Sequence, residues 1–300
     1  MVEIQSRGRL FDADAVFYYI IARGFFLLGL IPPKTARSIA DVLGRIWFAA
    51  DRRHREVAIE NLNRVFGHKM TPCQIRSMAR RVFCNLTRIL FEIGWSLHIK
   101  EADIRKYFRF RGMENLHAAM RSKKGVLVFT AHIGNWELLM TASAKIGFPI
   151  SATYRPLKFK PLNRFFRELR SRNGAELLPK NYAMRRVLRS LKDNKLVGMM
   201  LDQNAHILHG VMVDFFGEPA CTNKGLALLS RETGTPVVPM FLVREQGGFL
   251  VECGPQLPRF KSGNKAKDVE ATTRLYNKVI EDIILRYPEQ WFWVHRRWRP

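Results

Sequence analysis

Residues 125–139 read GVLVFTAHIGNWELL, and this stretch predicts a strand, a tight turn and a helix in succession. Residues 126–129 form a short apolar run of the kind that is buried in a parallel sheet. Gly134 permits a tight turn, and Asn135 suits the N-cap of a helix over residues 136–146. Because strands that alternate with helices build α/β folds, this stretch indicates that fold class.

A histidine and a carboxylate lie on either side of that turn. His132 is in the turn and Glu137 is in the first turn of the helix, so the two side chains can face each other. The helix dipole also favours an anion at the position of Glu137. A carboxylate that accepts one ring N–H fixes the histidine tautomer and leaves the other nitrogen free as a base. We therefore predict a general base, His132, oriented by Glu137, against the alternative of an ordinary surface pair.

The remaining pattern predicts two regions. Residues 15 to about 97 show helical periodicity, whereas short apolar runs and helices alternate from about residue 105. We expect an α/β fold with a mixed, largely parallel sheet flanked by helices, and an N-terminal helical membrane-associating region. The predicted regions are 1–104 (helical) and 105–300 (α/β core). Predicted strands are 126–129, 150–154, 196–201, 237–243 and 249–253, and predicted helices of the core are 136–146, 161–172, 182–193, 223–233 and 268–286.

Three polar positions follow consecutive predicted strands. His132 follows the first strand, Arg155 follows the second, and Asp202 ends the third. If these strands are parallel, all three residues lie at the carboxyl edge of the sheet, where open α/β folds bind their ligands. The spacing alone therefore predicts a site at this edge.

The composition limits the partners and the compartment. The 300 residues include 50 Lys and Arg against 26 Asp and Glu, a net charge of +24, which implies an acidic partner: nucleic acid, anionic lipid or an acidic protein. The four cysteines are scattered, which fits free thiols in a reducing compartment and supports neither a disulfide framework nor a zinc site. No phosphate-binding glycine motif is present, so we expect no nucleotide cofactor.

Two segments suggest contact with a membrane. Residues 15–31 are apolar but contain Arg23, and this stretch is short for a spanning helix. An embedded or interfacial anchor is the favoured interpretation, with a signal anchor and an ordinary core helix as alternatives. Residues 291–299 mix aromatic residues with arginines, which suits a bilayer interface or stacking on single-stranded nucleic acid. The interface is favoured because the chain also has the apolar segment.

Several blocks resemble one family. His132 and Glu137 match the H-x4-D/E motif of the lysophospholipid acyltransferase superfamily, and residues 132–137 resemble the form found in bacterial lipid A biosynthesis acyltransferases, the lauroyl/myristoyl family. The resemblance continues in order through residues 202–204, 215–220, 233–239 and 288–297, and so covers nearly the whole chain.

The resemblance implies an O-acyltransferase with His132 and Glu137 as catalytic residues. It places Arg170 near the reaction, with Arg172 as a rival, and gives Asp202 a site role, either orienting Arg170 or closing the site. We also expect Asn135 and Arg155 to bind substrate. No metal and no cofactor are expected.

The implied substrates are a fatty acyl thioester on acyl carrier protein and a hydroxyl of a phosphorylated lipid A precursor. The implied location is the cytoplasmic side of the inner membrane, with no nucleic acid as partner. One alternative is an enzyme of this family that acts on another glycolipid or an amino-acid lipid. Another is a non-enzymatic basic protein that binds membrane or nucleic acid.

Overall fold

A computed structural model describes residues 12–172, 174–179 and 183–299. The predicted start of one helix at residue 182 lies outside these residues. The described helices are α1 (Ala13–Leu30), α2 (Pro33–Ala50), α3 (Arg52–Phe66), α4 (Pro72–Ser96), α5 (Glu101–Tyr107), α6 (Met113–Met120), α7 (Trp136–Lys145), α8 (Lys160–Ser171), α9 (Ala183–Lys192), α10 (Gly225–Thr233) and α11 (Lys265–Arg286).

The strands form one large sheet and one hairpin. They are β1 (Phe108–Arg111), β2 (Val126–Thr130), β3 (Ile150–Tyr154), β4 (Leu177–Pro179), β5 (Leu196–Met200), β6 (Gly210–Phe215), β7 (Glu218–Asn223), β8 (Val237–Glu245) and β9 (Gly248–Cys253). The large sheet has the order β1-β9-β8-β2-β5-β3-β4, and only its β8–β9 pair is antiparallel. The predicted mixed, largely parallel α/β sheet is therefore confirmed. All five predicted strands are present, whereas β1, β4 and the β6–β7 hairpin were not predicted.

The longest helix, α4, joins the helical region to the sheet. It begins with a capping box, in which Thr71 and Gln74 satisfy each other's free backbone N–H groups. Its apolar stripe, including Ile75, Val82 and Phe83, is buried in the same hydrophobic cluster as residues of the central strands. Burial against the sheet therefore stabilises α4 and fixes its position beside the site.

The first helix, α1, is docked on the protein along one side and exposed on the other. It is long and apolar enough to cross a membrane, and only 6% of that 18-residue window is buried. Gly29 approaches α4 so closely that a Cβ there would lie 2.2 Å from the carbonyl oxygen of Gly94. Phe25 stacks on Phe165 of α8 with ring centroids 4.6 Å apart. An ordinary buried core helix does not describe α1, because most of its apolar side chains face outward.

The second helix, α2, packs through small residues. Ala36, Ala40 and Gly44 are buried, and a Cβ on Gly44 would lie 2.5 Å from the Cα of Cys84 in α4. Phe48 is also buried, whereas the other large apolar residues of α2 point outward and form an exposed face. That face comprises Ile39, Val42, Leu43, Ile46 and Trp47.

The aromatic and basic segment 291–299 packs inside the fold. Trp291 and Trp293 are at most 1% exposed, and Arg297 is fully buried. Arg297 donates hydrogen bonds to the carbonyl oxygen of Cys221 and the hydroxyl of Thr222, at 2.8 and 2.6 Å. The interpretation of this segment as an interfacial anchor is therefore wrong, because its tryptophan rings and the Arg297 side chain are buried within the fold.

Candidate active site

The register of two central strands brings His132 and Asp202 together. Strands β2 and β5 are parallel neighbours, and Thr130 lies opposite Met200. His132 and Asp202 each lie two residues beyond these partners, at the carboxyl edge of the sheet. The predicted convergence of His132 and Asp202 at this edge is therefore present in the structure.

Asp202 receives three hydrogen bonds although it is only 1% exposed. The His132 ring pairs with it through Nδ1 at 2.8 Å, and the backbone N–H of His132 donates to it at 2.9 Å. The indole N–H of Trp291 donates at 2.8 Å. The expected hydrogen bond between His132 and Glu137 is thus wrong, because Asp202 takes the position of the orienting carboxylate.

The protonation of the pair follows from its contacts. Burial by itself lowers the pKa of His132, but the charge and hydrogen bond of Asp202 outweigh it and raise the pKa above its ordinary value of 6.5. Burial likewise opposes ionisation of Asp202, yet His132 and the N–H donors lower the pKa of that carboxyl. Asp202 therefore stays ionised and holds the ring N–H, while Nε2 makes no hydrogen bond with the described residues.

Glu137 has a different partner. Its carboxylate accepts two hydrogen bonds from Arg170, at 2.8 and 2.6 Å, in the bidentate geometry typical of arginine. Burial lowers the pKa of Arg170, but the hydrogen bond and charge of Glu137 raise it overall. Arg170 is held here rather than by Asp202, so the expectation that Asp202 orients Arg170 is wrong. The rival Arg172 instead donates to the carbonyl oxygen of Leu97, at 3.2 Å.

Asn135 caps the helix that carries Glu137. Its side-chain oxygen accepts from the N–H groups of Glu137 and Leu138, each at 3.2 Å, as the sequence predicts for an N-cap. Its amide nitrogen donates to Glu92 at 2.8 Å, and the side chain is fully buried. In this structure Asn135 is a buried helix cap, and the expectation that it binds substrate stays a prediction.

Glu92 extends this arrangement into the protein. Arg244 makes a bidentate ion pair with Glu92, at 2.5 and 2.6 Å. The backbone of Arg244 is in turn bound by the side-chain amide of Gln290 on both its N–H and its carbonyl oxygen. Glu92, Arg244 and Gln290 were not predicted from the sequence; a signal for Gln290 lay in the block 288–297.

Residues 290–292 hold the turn from the other side. The N–H of Gly134 donates to the carbonyl oxygen of Gln290 at 3.0 Å, and the N–H of Phe292 donates to that of His132 at 2.9 Å. Gly134 has φ of 60°, and a Cβ there would lie 1.9 Å from the carbonyl oxygen of Leu242. Only glycine fits this position, because it allows both the left-handed backbone and the close approach.

Access to the base is limited but open. The His132 side chain is 19% exposed, and the rings of Trp136 and Phe292 lie 5.0 and 5.9 Å from its centroid. Arg155 follows β3 and is exposed, without a hydrogen bond or ion pair to the described residues, so its substrate contact stays a prediction. The described part of the chain contains no group of three or more His, Cys, Asp or Glu side chains arranged to hold a metal.

A large cavity lies behind the turn. Its volume is about 1090 Å³, and its lining includes Glu92, Arg244 and Gln290 but not His132. Aromatic side chains, among them Trp95 and Phe249, form part of its wall. This cavity therefore reaches the groups that hold the turn rather than His132 itself.

The geometry defines a class of site: a histidine whose ring is bound by a buried carboxylate, and an arginine held by a second carboxylate, all at the carboxyl edge of an α/β sheet. The sequence matches the profile of the bacterial lipid A biosynthesis acyltransferases over residues 9–300. The chain belongs to this family and is an O-acyltransferase.

Individual relatives agree with that assignment. The chain is 26% identical to the lipid A biosynthesis palmitoleoyltransferase of Escherichia coli (strain K12) over 253 residues, which are 83% of this chain and 79% of the relative. It is 26% identical to the lipid A biosynthesis lauroyltransferase of the same strain over 268 residues, 86% and 83% of the two chains. It is 28% identical to the phosphatidylinositol mannoside acyltransferase of Mycobacterium tuberculosis (strain ATCC 25618 / H37Rv) over 286 residues, 92% and 87% of the two chains.

Proposed function

We propose that this enzyme transfers a fatty acyl chain from acyl carrier protein to a hydroxyl of a lipid A precursor, a secondary acylation. The observation that carries the proposal is the His132–Asp202 pair at the sheet edge, in a chain that matches the lipid A acyltransferase family along almost its whole length. The donor and the acceptor are both anionic, which suits a chain of charge +24.

The proposed chemistry needs no covalent enzyme intermediate. His132 Nε2 takes the proton of the acceptor hydroxyl while the hydroxyl oxygen attacks the thioester carbonyl carbon. This attack gives a tetrahedral oxyanion. The C–S bond then breaks, the ester remains on the acceptor, and the departing thiolate takes the proton from the imidazolium. Asp202 keeps Nδ1 protonated throughout and stabilises the cation that forms.

The second ion pair supplies positive charge in this proposal. Arg170 lies at the edge of the site and is 23% exposed, so part of the guanidinium is open to a ligand. Held by Glu137, it is positioned to stabilise the oxyanion or to bind an anionic group of a substrate. Glu137 is therefore a positioning residue for Arg170.

We further propose that the enzyme works on the cytoplasmic side of the inner membrane. The outward-facing apolar residues of α1 and α2 support attachment to the bilayer, and the four free thiols fit a reducing compartment. Part of the attachment should survive high salt, because salt does not screen buried apolar area.

A second acceptor class has a specific observation in its favour. Relatives named as phosphatidylinositol mannoside acyltransferases match as much of the chain as the lipid A enzymes do. The second candidate function is therefore transfer of the same acyl group to a mannosylated lipid, with the same base.

Mass spectrometry of lipids and an acyl transfer assay test the proposal together. Lipid A from cells that contain the chain should carry one more acyl chain than lipid A from cells that lack it or that contain His132→Ala. In vitro, the purified enzyme should use acyl carrier protein thioester in preference to coenzyme A thioester. Acylation of a mannosylated lipid, with the lipid A precursor unchanged, would decide for the second candidate.

A further inference from the structure

A groove between α2 and α4 is crowded with arginines. We call it the cationic groove and define it by its lining: Arg37, Asp41, Arg45, Arg80, Arg81, Cys84, Asn85, Arg88 and Glu289. Its volume is about 300 Å³. Five guanidinium groups and two carboxylates line it, so it has an excess of positive charge.

The two carboxylates are already engaged. Asp41 accepts two hydrogen bonds of 2.7 Å from Arg88, and Glu289 lies 3.5 Å from Arg81. Within the described ranges, Arg37, Arg45 and Arg80 form no ion pair. Like charges this close repel each other, and an anion bound among them removes that repulsion. Arginine side chains also match phosphate oxygens geometrically, because each can donate two parallel hydrogen bonds.

The surroundings of the groove select the source of the anion. Arg37 and Arg45 are on α2, whose neighbouring face exposes Ile39, Leu43 and Ile46. A helix is about 10 Å across, so a bilayer that takes up this apolar face brings its phosphate layer level with the arginines.

We propose that the cationic groove binds the phosphate group of an anionic membrane lipid, at a site separate from His132. The groove orients the enzyme on the bilayer, and its lining shares Arg37, Asn85, Arg88 and Glu289 with the large cavity behind the active-site turn. The inference rests on the membrane attachment proposed above and is independent of the acyl transfer chemistry.

The test compares two double variants of the full chain by flotation with vesicles. Arg45→Gln/Arg80→Gln removes two unpaired groove cations. Arg121→Gln/Lys124→Gln removes two exposed cations that precede β2, at the sheet edge opposite His132, and is the matched control. Vesicles contain phosphatidylcholine alone, or phosphatidylcholine with phosphatidic acid.

Phosphatidic acid should strengthen binding of the unmodified chain. The groove variant should bind these vesicles about tenfold or more weakly, because each cation at an anionic lipid surface contributes roughly fivefold in affinity and two are removed. The control should lose about twofold or less. Equal losses in the two variants would overturn the proposal, because net charge alone would then explain binding. Phosphatidylcholine vesicles report the apolar attachment separately, so a failure of that attachment is distinguishable from a failure of the groove.

Two competition arms identify the ligand. Inorganic phosphate, at an ionic strength matched with chloride, should displace the protein only at concentrations far above that of the lipid phosphate, since the groove takes a headgroup anchored in a bilayer. Displacement by free phosphate at a concentration equal to that of the lipid phosphate would overturn the lipid source. Competition by an acidic carrier protein that the groove variant abolishes would assign the groove to a protein partner and overturn the proposal as well. Thermal melts of both variants should match that of the unmodified chain, because all four side chains are exposed.

Discussion

Two carboxylates lie near the same histidine, and the one closer in sequence is not its partner. Glu137 is five residues from His132, yet it binds Arg170, whereas Asp202 is 70 residues away and binds the ring directly. The register of β2 and β5 places Asp202 opposite His132, while the N-cap directs Glu137 along α7. The comparison teaches that strand register, rather than sequence spacing, decides which acid orients the base.

Removal of His132, which lies near both carboxylates, should have the largest effect on acyl transfer. His132→Ala should lower the rate of acyl transfer by about 10²–10⁴-fold, because general-base assistance is lost. The measurement is the initial rate with acyl carrier protein thioester and a lipid A precursor. Near-normal transfer by this variant, with an unchanged melting temperature, would refute the role of His132 as general base. The roles proposed for Asp202 and Glu137 in that mechanism would be refuted with it.

Asp202→Asn should come next, with a loss of about 10²-fold, because the ring then lacks its fixed tautomer. The pH profile separates its role from that of Glu137. A base acts when neutral and the pKa of His132 is raised, so kcat/KM of the unmodified enzyme should rise with pH to a midpoint above 6.5. Without the carboxylate, burial dominates and lowers that pKa, so the midpoint should move to lower pH in Asp202→Asn.

Glu137→Gln should be milder, with a rate loss of about tenfold or more from the weakened hold on Arg170. Arg170→Lys is the matched variant, since it keeps the charge but loses the bidentate geometry. The two losses should not add in the double variant, because both break one ion pair. The midpoint of the pH profile should move less than in Asp202→Asn; a larger shift would make Glu137 the acid that controls the base.

Arg155→Ala should have the smallest effect. This side chain is exposed and makes no ion pair with the described residues, so a substrate contact there is worth at most about fivefold in KM, with kcat unchanged. Steady-state kinetics with the acceptor varied gives the split. A fall in kcat instead would place Arg155 in the reaction and extend the comparison to the end of β3.

The sequence contains enough to predict the central strands and the convergence of His132 and Asp202, because apolar runs locate parallel strands and their carboxyl ends share an edge. It does not contain the register, which depends on the neighbours of each strand, so the hydrogen bond between His132 and Asp202 was not predictable. Strand β4 is three residues long and the β6–β7 hairpin contains Gly210 and Pro219, so both lack a clear apolar signal.

Amphipathic patterns identified helices but not what covers them. The apolar stripe of α4 is buried against the sheet, whereas most large apolar residues of α2 are exposed, and small residues together with Phe48 make its contacts. In segment 291–299, by contrast, a pattern that suits an exposed interface belongs to side chains that are buried, Trp291 and Trp293 among them. Tryptophan and arginine suit an interface and also suit a core that offers acceptors for their N–H groups, and Trp291 and Trp293 donate to Asp202 and to the carbonyl oxygen of Pro288.

The hold of residues 290–292 on the turn has a consequence for biosynthesis. A ribosome makes His132 and the strand before it long before it makes Gln290, Trp291 and Phe292. Until those three emerge, the N–H of Gly134, the carbonyl of His132 and the carboxylate of Asp202 each lack a hydrogen-bond partner that they have in the finished fold. During synthesis of residues 133–290 the nascent chain therefore contains His132 but lacks the hydrogen bonds that fix the turn around it. The site is completed only after synthesis has passed residue 292.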